Sequence, residues 1–153
     1  MSRTKDRRSS SGIVELVILI ALPVLLHRLI PVKALIPAPY TYLGFVPMLL
    51  GLALMIRTAQ SFRKAGARYQ LQRESAALMT SGPFGFSRNP MYLGMLIWLV
   101  GLAVLLGSLT AFFFPILFFL LANLVLIPTE ERRMEQLFGE QFIEYRRDVR
   151  RWV

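Results

Sequence analysis

The chain has 153 residues, 55% of them hydrophobic, and a mean hydropathy of +0.52, above the roughly 45–50% apolar content of an ordinary soluble domain. It has no cysteine and a single histidine, His27, which removes disulfides, thiolate nucleophiles and Cys-ligated zinc and leaves almost no material for a His/carboxylate metal cluster or a Ser-His-Asp triad. The formal charge of +9 does not point to nucleic acid, because Lys and Arg sit between apolar runs and form no single patch interleaved with exposed aromatics.

Residues 1–12 are basic and polar and predict a disordered N-terminus. An apolar run follows over 13–30. A signal peptide is the competing reading of this start, but the run continues through Ile30 and no small-residue cleavage pattern follows it. Further runs at 40–57, 91–106 and 110–128 are each near the length that spans a bilayer. Gly107-Ser108 is the only break between the last two, so these should form a tight helical hairpin. Lys plus Arg number four before residue 12, two in 28–39, six in 57–90, none at the Gly107 turn and six after Pro128. Basic segments alternating with poor ones predict four crossings with both ends and the 57–90 loop in the cytoplasm. The expected fold is therefore an all-α polytopic bundle of four transmembrane helices, a single domain over 13–153 in the cell (inner) membrane.

Residues 42–56 (YLGFVPMLLGLALMI) and 92–106 (YLGMLIWLVGLAVLL) share Tyr-Leu-Gly, Leu and Gly-Leu-Ala at equal spacing. Gly44 and Gly51, like Gly94 and Gly101, are two helical turns apart, which puts each pair on one face where backbones can approach closely. Convergence of low-complexity membrane sequence accounts for the likeness better than duplication does.

After Pro128 the pattern becomes amphipathic and predicts a helix over 129–150. Thr129 suits the N-cap, Glu130 and Glu131 suit the positive helix end, and Met134, Leu137, Phe138, Phe142, Tyr145 and Val149 recur at helical spacing. Gly139 should kink or break it. With six arginines on the other face, this segment is expected to lie on the cytoplasmic membrane surface.

The 57–90 loop is long enough to be functional. It ends in Ser81-Gly82-Pro83-Phe84-Gly85-Phe86-Ser87-Arg88-Asn89-Pro90-Met91-Tyr92, in which Pro90 fits the first helical position and Asn89 the N-cap. As a purely structural run this would be a turn, a snorkelling Arg88 and an interfacial Tyr92. The hairpin, however, returns Glu130 and Glu131 to the same face, so an Arg/Asn donor group meets a carboxylate pair across an aromatic-lined gap. That arrangement suits a small ligand carrying both charges.

The run Leu78–Gly94 (LMTSGPFGFSRNPMYLG), with Glu130-Glu131 and the following FGEQFIEY (138–145), resembles the isoprenylcysteine carboxyl methyltransferase and phospholipid methyltransferase superfamily of multi-pass membrane enzymes. The resemblance is strongest from Ala76 to Val153. It implies S-adenosylmethionine as cofactor, bound by Ala76, Ala77, Leu78, Met79, Phe84, Asn89, Pro90, Met91 and Tyr92, with Glu130 closing the site. Arg88 and Glu131 join them as candidates on charge and position. The family often has His where this chain has Asn89, which cannot titrate. Its prenylcysteine enzymes tend to carry Arg where this chain has Leu126. No residue is singled out as catalytic and no metal site is expected. The implied acceptor is a lipid-like, membrane-embedded amphiphile; an ionised oxygen needs no base, whereas a protonated amine must first lose a proton. Two other classes compete. A small multidrug-type transporter would use Glu15 as an intramembrane acid, although Glu15 stands close to the interface. A membrane sterol-type reductase would use NADPH.

Overall fold

The computed structural model describes residues 21, 25, 35–72 and 78–153. Apart from Ala21 and Leu25, the first expected crossing lies outside the described residues, as do the basic segment 1–12, Glu15, His27, Ala76 and Ala77. The described residues form an all-α structure: α1 (Phe45–Gln72), α2 (Pro90–Leu106), α3 (Leu109–Leu121), α4 (Ile127–Phe138) and α5 (Glu140–Asp148). A 3-10 turn, Tyr40–Gly44, leads into α1, a second one, Gly82–Gly85, sits in the loop before α2, and a π-helical turn, Ala122–Leu126, joins α3 to α4. Tyr40–Gly66 and Leu109–Phe138 are long and apolar enough to cross a membrane, and the shorter apolar α2 lies between them.

Helix α1 and α2 are antiparallel and meet through the repeated glycines. A Cβ on Gly44 would stand 2.4 Å from the Gly101 carbonyl oxygen, and one on Gly51 would stand 2.5 Å from that of Gly94. The two pairs thus interlock crosswise, each glycine admitting the backbone of its counterpart. In lipid there is little hydrophobic drive between helices, so backbone proximity of this kind supplies the packing. The hairpin forms as expected: Gly107 caps α2 in the left-handed region (φ 64) and its amide reaches the Ala103 and Val104 carbonyls. The core of this part is Leu99, Phe118, Ala122 and Ile127.

Helix α1 is longer than the charge pattern predicts. It continues to Gln72, through the first half of the stretch read as a loop, because 57–72 is rich in Ala, Gln, Arg and Lys and has no proline to stop propagation. At 1.5 Å per residue it is about 42 Å long, against a hydrocarbon core of about 30 Å. The change from apolar to basic residues at Arg57 marks a change of surroundings along one helix.

The expected start at Thr129 is also corrected. Leu109–Phe138 is continuous, and the Thr129 hydroxyl donates to the Val125 carbonyl (2.7 Å) instead of capping. Pro128 would normally break such a helix, since it lacks an N–H and its ring presses on the carbonyl four residues back. The π turn just before it relieves that conflict: the Ile127 amide bonds to the Ala122 oxygen, five residues back, which widens the helix there. Gly139 (φ 52) does break the helix, and α5 folds back after it.

Candidate functional site

Where α1, the 78–89 loop, α4 and α5 converge they enclose a cavity of about 230 Å3. Its apolar wall comes from Phe62 on α1, from Leu78, Met79 and Phe84 in the loop, and from Met134, Phe138 and Phe142. Phe62 meets Phe84 edge to face at 5.4 Å. Four residues of the amphipathic stripe after Pro128, Met134, Phe138, Phe142 and Tyr145, therefore line this cavity, while Val149 packs behind it and Leu137 is exposed. The break at Gly139 makes this possible, since a straight helix could not bring both Met134 and Tyr145 to one space. Tyr145 fixes the fold-back by donating from its hydroxyl to the Phe84 carbonyl (2.7 Å). Burial pushes its phenol up to about 12, with the Arg88 cation pulling the other way.

The polar side of the cavity is formed by Arg88, Asn89, Glu130 and Glu131. Glu131 is buried and held by two guanidinium groups: Arg88 Nη2 lies 3.3 Å from Oε1, while Arg151 takes Oε2 at 2.7 Å and Oε1 from Nε at 3.3 Å. The Arg88 side chain is only 9% exposed, and its Nε and Nη1 are buried with no hydrogen-bond partner among the described residues. Leaving such donors unpaired is costly. Burial lowers the Arg88 pKa and neighbouring Glu131 raises it. A side chain enclosed to this degree is not positioned as a snorkelling lipid contact. Glu130 is exposed and accepts a bond from the Tyr92 hydroxyl (2.9 Å).

Of the candidates named from sequence, Leu78, Met79, Phe84, Arg88, Asn89, Glu130 and Glu131 come together at the cavity. Pro90 and Met91 open α2 outside its lining, and Tyr92 reaches it only through Glu130. Asn89 occupies the N-cap position but makes no cap; its Nδ2 donates to the Arg151 carbonyl (3.1 Å). Sequence reasoning missed Phe62, which stood in a supposed loop. It also missed Arg151 and Asn123. The Asn123 oxygen, in the π turn, accepts from Arg151 Nη1 and Trp152 Nε1, both at 3.3 Å, so at least Arg151 of the six arginines is engaged by partners within the fold. Nothing in the sequence distinguished it from its neighbours.

This is a helical, membrane-compatible scaffold with an apolar cavity bordered by a cation and carboxylates at one helix junction. The chain belongs to the phospholipid methyltransferase family, whose sequence model matches residues 40–141. It is 31% identical to protein-S-isoprenylcysteine O-methyltransferase of Schizosaccharomyces pombe over 102 residues, which cover 62% of this chain and 39% of that protein. Protein-S-isoprenylcysteine O-methyltransferase B of Arabidopsis thaliana is 37% identical over 81 residues, 51% of this chain and 40% of that one. The cobalt-zinc-cadmium resistance protein CzcN of Cupriavidus metallidurans is 34% identical over 102 residues, 66% and 47% respectively. The chain thus spans less than half the length of these three relatives. No solved structure matches it.

Proposed function

We propose that the protein is an integral membrane methyltransferase that uses S-adenosylmethionine and acts on an amphipathic acceptor held in the bilayer. The observation that carries this reading is Arg88: a buried guanidinium with two unpartnered donor nitrogens, lining an apolar cavity together with Glu130, in a chain of this family. The cofactor's carboxylate fits the Arg88 donors, its hydroxyls or ammonium fit Glu130, and adenine and sulfonium fit the Phe84, Met79, Met134 and Phe138 wall. Ala76, Ala77, Pro90, Met91 and Tyr92 remain candidates for the same site from the family resemblance. When bound, the cofactor supplies a methyl group already activated on sulfur. The protein's share is to orient the acceptor, exclude water and place charge.

An acceptor oxygen that is ionised at neutral pH suits the site better than an amine. Glu131 is committed to two guanidiniums, and the Tyr145 phenol, pushed up to about 12, donates to a carbonyl. Neither is free to take a proton. The isoprenylcysteine enzymes among the relatives favour a prenylated carboxylate. Leu126, which packs against the Leu99 and Ile127 core, provides no cation for one at that position. Four crossings with cytoplasmic ends account for the Lys and Arg distribution and place the cavity on the side where the soluble cofactor is available.

Titration of detergent-purified protein by calorimetry tests the cofactor. Saturable S-adenosylmethionine binding that is lost in Glu130→Ala, with NADPH silent, is the expected outcome. NADPH binding in its place would overturn the reading. Greater methyl transfer to an aminolipid than to any amphipathic carboxylate would overturn the choice of acceptor.

A further inference from the structure

Arg88 and Glu131, both buried, and Arg151, 31% exposed, form one cluster of two cations and one anion. Arg151 holds the carboxylate with a two-pronged contact to both oxygens, and Arg88 touches Oε1 alone at 3.3 Å. The segment carrying Arg151 is tied down independently of that contact. Its Arg150 carbonyl accepts the Arg88 amide (3.0 Å), and its Arg151 carbonyl accepts Asn89 Nδ2 (3.1 Å) and the Ser87 hydroxyl (3.4 Å). Trp152 bonds to Asn123 and stacks on Phe119 at 5.2 Å. So the backbone of 150–151 is anchored to the loop residues Ser87, Arg88 and Asn89, while the Arg151 guanidinium is anchored to the π turn and Glu131.

The consequence is electrostatic. Were Glu131 shared with Arg88 only, the pair would be neutral and would have little pull on a further anion. With Arg151 taking the better part of the carboxylate, the cluster keeps a net positive charge. The donors left without a partner are Nε and Nη1 of Arg88, a residue that lines the cavity. We propose that Arg151 is a positioning residue for the ligand's carboxylate: by occupying Glu131 it keeps Arg88, in the cavity wall, unneutralised. This inference rests on the cofactor reading above, but it assigns a role to a residue outside the family match, which ends at residue 141.

The role separates from a general structural one through the choice of ligand. Decarboxylated S-adenosylmethionine keeps the adenosine, sulfonium and ammonium groups and lacks only the carboxylate. Arg151→Gln should weaken S-adenosylmethionine binding on the order of tenfold, the scale of one charge-assisted hydrogen bond, and leave the decarboxylated compound bound as tightly as by the unmodified protein, or more tightly. Arg151→Lys keeps the charge and should lose less. If Arg151→Gln does not fold, Arg151→Met carries the same comparison. Equal weakening of both ligands, or of neither, would overturn the inference while leaving the cofactor reading intact. If the unmodified protein binds neither compound, the cofactor reading falls and takes this inference with it.

Discussion

Replacing Gly51 by Ala should loosen the junction between α1 and α2, whereas the same replacement at Gly66, farther along α1, should tighten that helix. At Gly51 the new methyl would lie 2.5 Å from the Gly94 oxygen, 2.7 Å from the Trp98 nitrogen and 3.0 Å from the Trp98 Cβ. Two of the three atoms are backbone and cannot swing aside. Normal carbon contacts begin at about 3.5 Å, so the helices must part by about 1 Å. Overpacking of this kind costs about 1–3 kcal/mol, and the better helix propensity of Ala returns about 1 kcal/mol. At Gly66 nothing lies within 4 Å, so only the gain remains. Gly51→Ala should therefore be net destabilising by up to about 2 kcal/mol and Gly66→Ala stabilising by up to about 1 kcal/mol. Thermal unfolding in one detergent, followed by helical circular dichroism, measures both. If Gly51→Ala melts at or above the parent temperature, or if the two variants shift together, the close glycine contact is not what holds these helices.

Glu131→Ala should destabilise the protein by about 3 kcal/mol, because it leaves the buried Arg88 guanidinium beside the half-buried Arg151 without their shared anion; a melting temperature within error of the parent would contradict the ion-pair cluster. Tyr145→Phe removes the donor to the Phe84 carbonyl and should cost about 1–3 kcal/mol in the same assay. Because burial raises the Tyr145 pKa from 10.0 to about 12, its contribution is complete below pH 10 and is lost as pH climbs toward 12; alkaline titration of stability should show this fall in the parent and a smaller one in Tyr145→Phe. The absence of cysteine allows single-cysteine mapping of topology. In intact cells an impermeant thiol reagent should label Leu109→Cys at the hairpin tip and spare Arg147→Cys, and the reverse pattern would invert the proposed orientation.

Much of the bundle was legible from composition and spacing, because those features act locally. Apolar runs report helices in lipid, Gly107 and Pro90 report a turn and a start, and glycines two turns apart report a face that a backbone can approach. The loop motif and the paired glutamates could be joined because the hairpin between them is too short to allow any other arrangement. Charge, however, reports surroundings and not conformation, so the basic residues from Arg57 suggest an end to α1 although the helix continues to Gln72. Pro128 and Thr129 read as a stop and a cap, since a widened π turn that absorbs a proline leaves no local signature. Which way the Met134 to Tyr145 stripe faces depends on the angle set at Gly139 and on the Tyr145 bond to Phe84. Arg151 is the extreme case: one arginine among six after Pro128, it is drawn inward by Glu131 and Asn123, partners 20 and 28 residues away in sequence. Periodicity records what each residue does within its own helix, but contacts between distant segments depend on how the whole chain closes, and that the tertiary structure alone decides.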